Sequence, residues 1–138
     1  MKTTILKPIV VALLLMTSAC AGTPDTTARI LEQRAQGRWD ALLSEDLETA
    51  YQYFSPGQRQ TVRYQDFVGQ IVSRSVRWTD ASFVEVAACD GDACTVEIRV
   101  HFQVKAPVGA GQFKSSQLMR ENWIRSDGQW YFLPEDVL

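Results

Sequence analysis

The periodicity of the apolar residues changes once along this chain, near Val72, and that change restricts it to a fold in which helices come first and an antiparallel sheet follows. From Ala28 the apolar positions Ile30, Leu31, Ala35, Trp39, Leu42 and Leu43 recur at helical spacing, with Arg34, Arg38 and Asp40 between them. Asp46 has the chemistry to cap a second, short helix in which Leu47, Ala50, Tyr51 and Phe54 share a face. Ser55-Pro56-Gly57-Gln58 then supplies a cap, a proline at the first helical position and a Gln three residues after the cap, the order of a capping box. Tyr64, Phe67, Val68 and Ile71 fall on one side of a fourth helical piece.

Beyond Val72 the pattern alternates. Phe83, Val84 and Val86 lead into a hairpin whose second arm sets Val96, Ile98, Val100, Phe102 and Val104 against Glu97, Arg99, His101, Gln103 and Lys105. Pro107 to Gly111 reads as a loop, Ser115 to Arg125 as a long strand, and Asp127-Gly128 as a hairpin turn. Trp130 to Leu133 forms the closing strand before Pro134 ends it. The expected class is therefore α+β: N-terminal helices packed on one face of a curved antiparallel sheet, in a single domain of residues 28–138.

The first 19 residues stand outside this pattern. Lys2 and Lys7 precede an unbroken apolar run from Ile9 to Met16, the composition of a secretory signal peptide. The run falls short of the roughly 20 apolar residues that span a bilayer core. Ser18-Ala19-Cys20 resembles the lipobox of bacterial lipoproteins, with Thr17 where that pattern prefers Leu. The resemblance implies that Cys20 is lipidated and becomes the first mature residue. Ala21 after it, in place of Asp, implies an outer-membrane lipoprotein facing the periplasm of a Gram-negative cell. A cut by ordinary signal peptidase after Ala19-Cys20-Ala21 is the alternative, and it would release a protein beginning at Gly22. Residues 20–27 read as a lipidated tether, in which Gly22 and Pro24 oppose regular structure.

Without the leader, the chain keeps 12 of its 14 basic residues against 16 acidic ones, a net charge of −4. With no basic stripe to neutralise phosphates, nucleic acid is not an expected partner. Cysteine parity agrees with export: once Cys20 is acylated or removed, Cys89 and Cys94 remain, flanking Asp90-Gly91-Asp92-Ala93 between two strand patterns. In an oxidising compartment they are expected to form a disulfide across the hairpin tip. Their spacing is not that of a CxxC redox site, two cysteines with a distant His make no zinc site, and Asp90-Gly91-Asp92 lacks most positions of a calcium loop. No metal or cofactor is expected.

The order of helices then sheet carries a family resemblance. Trp39-x-x-Leu42, Asp46-x-Glu48-x-Ala50-Tyr51 leading to Ser55-Pro56, and the late Asn122-Trp123-Ile124-Arg125 with Asp127-Gly128-Gln129-Trp130-Tyr131 resemble the nuclear-transport-factor-2-like superfamily, a cystatin-like α+β cone, over roughly residues 28–133. Members enclose a pocket between the long helix and the concave sheet face, and use it for catalysis, ligand binding or dimer contacts. The enzyme type, ketosteroid isomerase, needs a carboxylate base with Tyr and protonated-acid donors in an apolar cavity. Asp40, Tyr51, Tyr53 and Asp66 are of the right kinds, but none aligns with the enzyme's motif, and no catalytic residue is assigned. His101, the single histidine, has no nucleophile motif beside it.

The candidate pocket groups are Tyr53, which falls off the face of its helix, with Arg120 and Asn122 on the long strand. The four tryptophans are read mainly as core. The row Glu97, Arg99, His101 and Gln103 is the candidate self-contact face, because sheet-face dimers are common among members of the superfamily. The expected function is a non-catalytic, lipid-anchored envelope domain that binds a protein partner, a second copy of itself or a small apolar ligand. The alternative is a small-molecule isomerase or hydratase of the ketosteroid-isomerase type.

Overall fold

Helix α1 (Pro24–Leu43) begins four residues before the helical spacing becomes legible, because Pro24 is preorganised for a first helical turn and Asp25 there suits the helix dipole. The computed structural model describes residues 24–105 and 111–134; the leader, Cys20, the first four tether residues and most of the 107–111 loop lie outside them. The stripe that α1 buries is Leu31, Ala35, Arg38, Trp39, Ala41 and Leu42, at spacings of three, four and seven. Ile30, expected on that stripe, is turned outward and 40% exposed, and Arg38, expected on the polar side, is inside.

Three short helices follow, α2 (Leu47–Tyr51), α3 (Pro56–Thr61) and α4 (Tyr64–Val72). Asp46 caps α2 by accepting from the Thr49 amide at 3.1 Å, and Ser55 caps α3 by accepting from the Gln58 amide at 3.1 Å. Gln58 Nε2 is buried without a partner among the described residues. The Tyr51 hydroxyl donates to Val62 O at 2.6 Å, which ties the end of α3 back onto α2.

The sheet is a meander, β1 (Val76–Asp90), β2 (Ala93–Lys105), β3 (Gln112–Ser126) and β4 (Gln129–Leu133), antiparallel throughout. β1 starts well before Phe83, where alternation first becomes visible, because register shifts at Trp78/Asp80, Phe83/Glu85 and Val86/Ala88 interrupt its period. Such bulges bend and twist a strand, and three of them curve this edge of the sheet around the helices. Asp127 and Gly128 both take positive φ, 50° and 78°, as a tight hairpin turn between β3 and β4 requires. Register places Val96, Ile98 and Val100 with Met119, Glu121 and Trp123 on the helix side, and Glu97, Arg99, His101 and Gln103 on the other.

The core is Leu31, Trp39, Leu42, Phe54, Phe67, Val96, Ile98, Val100, Trp123 and Trp130 with smaller residues between, and all of it lies within residues 31–130. That stretch carries its own hydrophobic core, as a domain able to fold by itself does.

Cys89 and Cys94 face each other directly across the β1–β2 ladder with Cα atoms 4.1 Å apart, and they form a disulfide. Closing so short a loop is worth about 2 kcal/mol in the chain-entropy model. Reduction is therefore expected to lower the melting temperature by several degrees, as followed by circular dichroism with and without reductant. An unchanged curve would show that the bond adds nothing to stability.

Gly37 sets a second local constraint. A Cβ built there would lie 2.5 Å from the Tyr53 hydroxyl oxygen, so the absence of a side chain lets α1 and the Tyr53 segment approach. Gly37→Ala should gain about 1 kcal/mol of helix propensity and lose about 1–3 to overpacking, a net destabilisation. In a Tyr53→Phe background, which lacks the hydroxyl, the same substitution should become stabilising in urea unfolding. No change of sign would mean that Tyr53 is not the obstacle.

Candidate functional site

β4 pairs with Asn122 to Ser126 of β3, and the stretch of β3 around Met119 to Asn122 lines a cavity together with α1 and α4. The cavity has a volume of about 560 Å³ and is lined by Arg38, Trp39, Phe54, Val62, Phe67, Gln70, Ile71, Arg74, Trp78, Met119, Arg120, Glu121, Asn122, Phe132, Leu133 and Pro134. That volume lies within the roughly 300–1,000 Å³ of ordinary small-molecule sites, and the lining is mainly apolar, as such sites are.

One ion pair sits in its wall. Arg38 Nη1 donates to Glu121 Oε1 at 2.7 Å, and both side chains are at least nine-tenths buried. Trp39 Nε1 donates to the same oxygen at 2.8 Å, and Trp123 Nε1 to the other oxygen at 3.3 Å. Three donors thus converge on one carboxylate. The Arg38 guanidinium also lies 3.7 Å from the centre of the Phe132 ring. Burial pushes Arg38 below its ordinary value, and the charge of Glu121 opposes that shift.

Arg74 stands at the mouth, exposed on one side and 4.3 Å over the Trp78 ring on the other. It too is pushed down, first by partial desolvation and then by the charge of Arg38. Trp78 packs edge-on against Trp39 with ring centres 4.9 Å apart, so the two tryptophans join the mouth to the ion pair.

Of the expected pocket residues, Arg120 and Asn122 belong to the lining of this cavity and Tyr53 does not, and strand parity turns the Arg120 and Asn122 side chains toward the opposite sheet face. There Arg120 Nε donates to Glu97 at 3.0 Å, and Asn122 Oδ1 accepts from Thr95 at 3.2 Å. Tyr53 lines a separate depression with Arg34, Arg59 and Tyr131, its ring beneath the Arg34 guanidinium at 4.5 Å and edge-on to Trp123.

The row expected to be a uniformly open face is uneven. Glu97 is buried beneath its pair with Arg120, Arg99 is exposed, and His101 and Gln103 are half-buried. Of the other acid-base candidates, Asp40 is exposed and accepts from Gln36, Asp66 is exposed and paired with Arg63, and the Tyr51 hydroxyl is engaged with α3. Three of the four tryptophans are core, and Trp78 alone is only half-buried.

Sequence reasoning missed the groups that matter most here, Arg38, Glu121 and Arg74. Two of them carried a signal: Arg38 is in helical phase with Leu31, Ala35 and Leu42, and Glu121 is in strand phase with Met119 and Trp123. A charged residue in phase with a buried stripe marks an interior pair.

The architecture recurs in solved structures. A SEC-C motif containing protein from Psychrobacter arcticus superposes with a TM-score of 0.57 at 18% identity, over 96% of this chain and 77% of that one. An NTF2-like family protein from Streptomyces avermitilis, proposed to be a dehydratase, matches with a TM-score of 0.54 at 12% identity, over 80% and 93%. A SEC-C motif containing protein from Rhodopseudomonas palustris matches with a TM-score of 0.53 at 17% identity, over 72% and 71%. No family model matches the sequence, and no curated protein matches it either. At these identities the likeness is one of fold: helices on one face of a curved, open, antiparallel sheet, as in an NTF2-like protein.

Proposed function

We propose that this chain is a lipid-anchored envelope protein whose domain is non-catalytic and receives a small, largely apolar molecule in the cavity between α1, α4 and β3. One observation carries the reading: the cavity has aromatic walls, and the one carboxylate lining it among the described residues, Glu121, already accepts from Arg38 and two indoles. A carboxylate so engaged is poorly placed to take a proton from a substrate, since a general base needs a lone pair directed at the proton it removes. The apolar walls give shape and burial instead. The anchoring half of the reading rests on the leader and Cys20, with acyl chains supplying the membrane affinity.

The alternative is an isomerase or dehydratase in which Glu121 acts on the ligand, and the Streptomyces avermitilis neighbour is what favours it. Native mass spectrometry of the segment from Gly22 onward, purified from the periplasm of a bacterial host without denaturation, tests the binding reading. A monomer carrying extra mass is the expected result. A dimer without added mass would overturn it in favour of an interaction module. For the anchor, Cys20→Ser should abolish membrane association of the full chain, and globomycin should cause its precursor to accumulate; no accumulation would refute lipidation.

A further inference from the structure

Beyond shape, the cavity has a charge, and the charge specifies its occupant more closely. We infer that the ligand is a monoanionic amphiphile, an apolar body ending in a carboxylate, with its acid group held by Arg74 at the mouth. This rests on the binding reading above and goes further than it. Within the lining, Arg38 and Glu121 neutralise each other, and Arg120 is turned away to Glu97 on the far face. Among the described residues of the lining, Arg74 is left with its charge uncompensated. Among the described residues it makes no ion pair, and its recorded contact is the face of Trp78.

The arrangement has a direction. Trp78 and Trp39 run inward from Arg74 to the Arg38–Glu121 pair, and Phe67, Ile71 and Met119 complete an apolar chamber beside them. With Arg38 and Glu121 neutral as a pair, the charge at the mouth is that of Arg74, which attracts an anion and repels a cation. A ligand wholly apolar leaves Arg74 unpaired at the edge of a chamber from which it has displaced water, which raises the cost of the bare charge. A guanidinium offers a carboxylate two parallel N–H donors, and such charge-assisted bonds are about twice as strong as neutral ones.

The test compares decanoate with decanol on the Gly22-onward segment, after delipidation, by quenching of tryptophan fluorescence. Decanoate is expected to bind about tenfold more tightly than decanol. Arg74→Gln should erase that preference, weakening decanoate binding about tenfold. Because Arg74 is exposed and makes no hydrogen bond, this variant should fold, and its circular dichroism spectrum verifies that. Equal binding of both probes to the unaltered domain overturns the charge inference and leaves the cavity reading intact. A decanoate preference that survives Arg74→Gln overturns the role of Arg74. Binding of neither probe, with no co-purifying mass, overturns both readings.

Discussion

Glu121→Ala is expected to destabilise the domain by about 3–5 kcal/mol, because it leaves the Arg38 guanidinium buried without its counter-charge. The indole N–H groups of Trp39 and Trp123 lose their acceptor in the same step, and unpaired buried donors add to the cost. Whole domains are stable by only about 5–15 kcal/mol, so one carboxylate accounts for a large share of the total. The loss should appear as a lower urea midpoint at an unchanged denaturant slope. Replacing both partners, Arg38→Met with Glu121→Leu, should recover the share due to the stranded guanidinium, but not that of the two indole N–H groups, which still lack an acceptor. A cost below about 1 kcal/mol for Glu121→Ala would show that water reaches the pair freely and that the cavity wall is wetter than its geometry implies.

Trp123→Ala is expected to cost about the same, about 3–5 kcal/mol, for a different reason. Trp123 is fully buried, edge-on to Tyr53 and to Phe132 at ring-centre distances of 6.3 and 6.0 Å, and it joins β3 to the α2–α3 segment. Truncation opens a void at the point where the sheet meets the helices. Trp123→Phe keeps most of the buried area and loses the donor to Glu121, so it should cost about 1–2 kcal/mol. Combined with Glu121→Ala, Trp123→Phe should add little, because both remove the same hydrogen bond. Full additivity in a double-mutant cycle, measured by urea unfolding, would separate the indole from the carboxylate and undo the account of three donors on one acid.

Much of the fold was legible along the chain. The α-then-β order, the caps at Asp46 and Ser55, the turn at Asp127-Gly128 and the Cys89–Cys94 pair all follow from residues a few positions apart. The start of β1 was not legible, because three bulges break the alternation on which a strand is recognised. Nor was the first turn of α1, whose Pro, Asp and Thr residues read equally well as a tether. Which polar group of β3 points into the cavity was not legible either: a strand shows which side chains share a face, but not which face meets the helices. Arg120 and Asn122 share theirs with Glu97, while the odd-numbered residues beside them, Met119, Glu121 and Trp123, point to the cavity.

By itself, then, the sequence determined element types, their order and their local boundaries, because periodicity, capping and turn chemistry act over four or five residues. Tertiary structure alone decided that Arg38 and Glu121, 83 residues apart, would be buried together, that α1, α4 and β3 would enclose a cavity, and that Arg74 would line it without an ion-pair partner among the described residues. Those outcomes depend on how a curved sheet seats a helix: the phase of Arg38 or of Glu121 signals that each is interior, but nothing in either neighbourhood says which distant residue is its partner. Burial selects the pairing, since a charge taken out of water persists only where a partner is within reach.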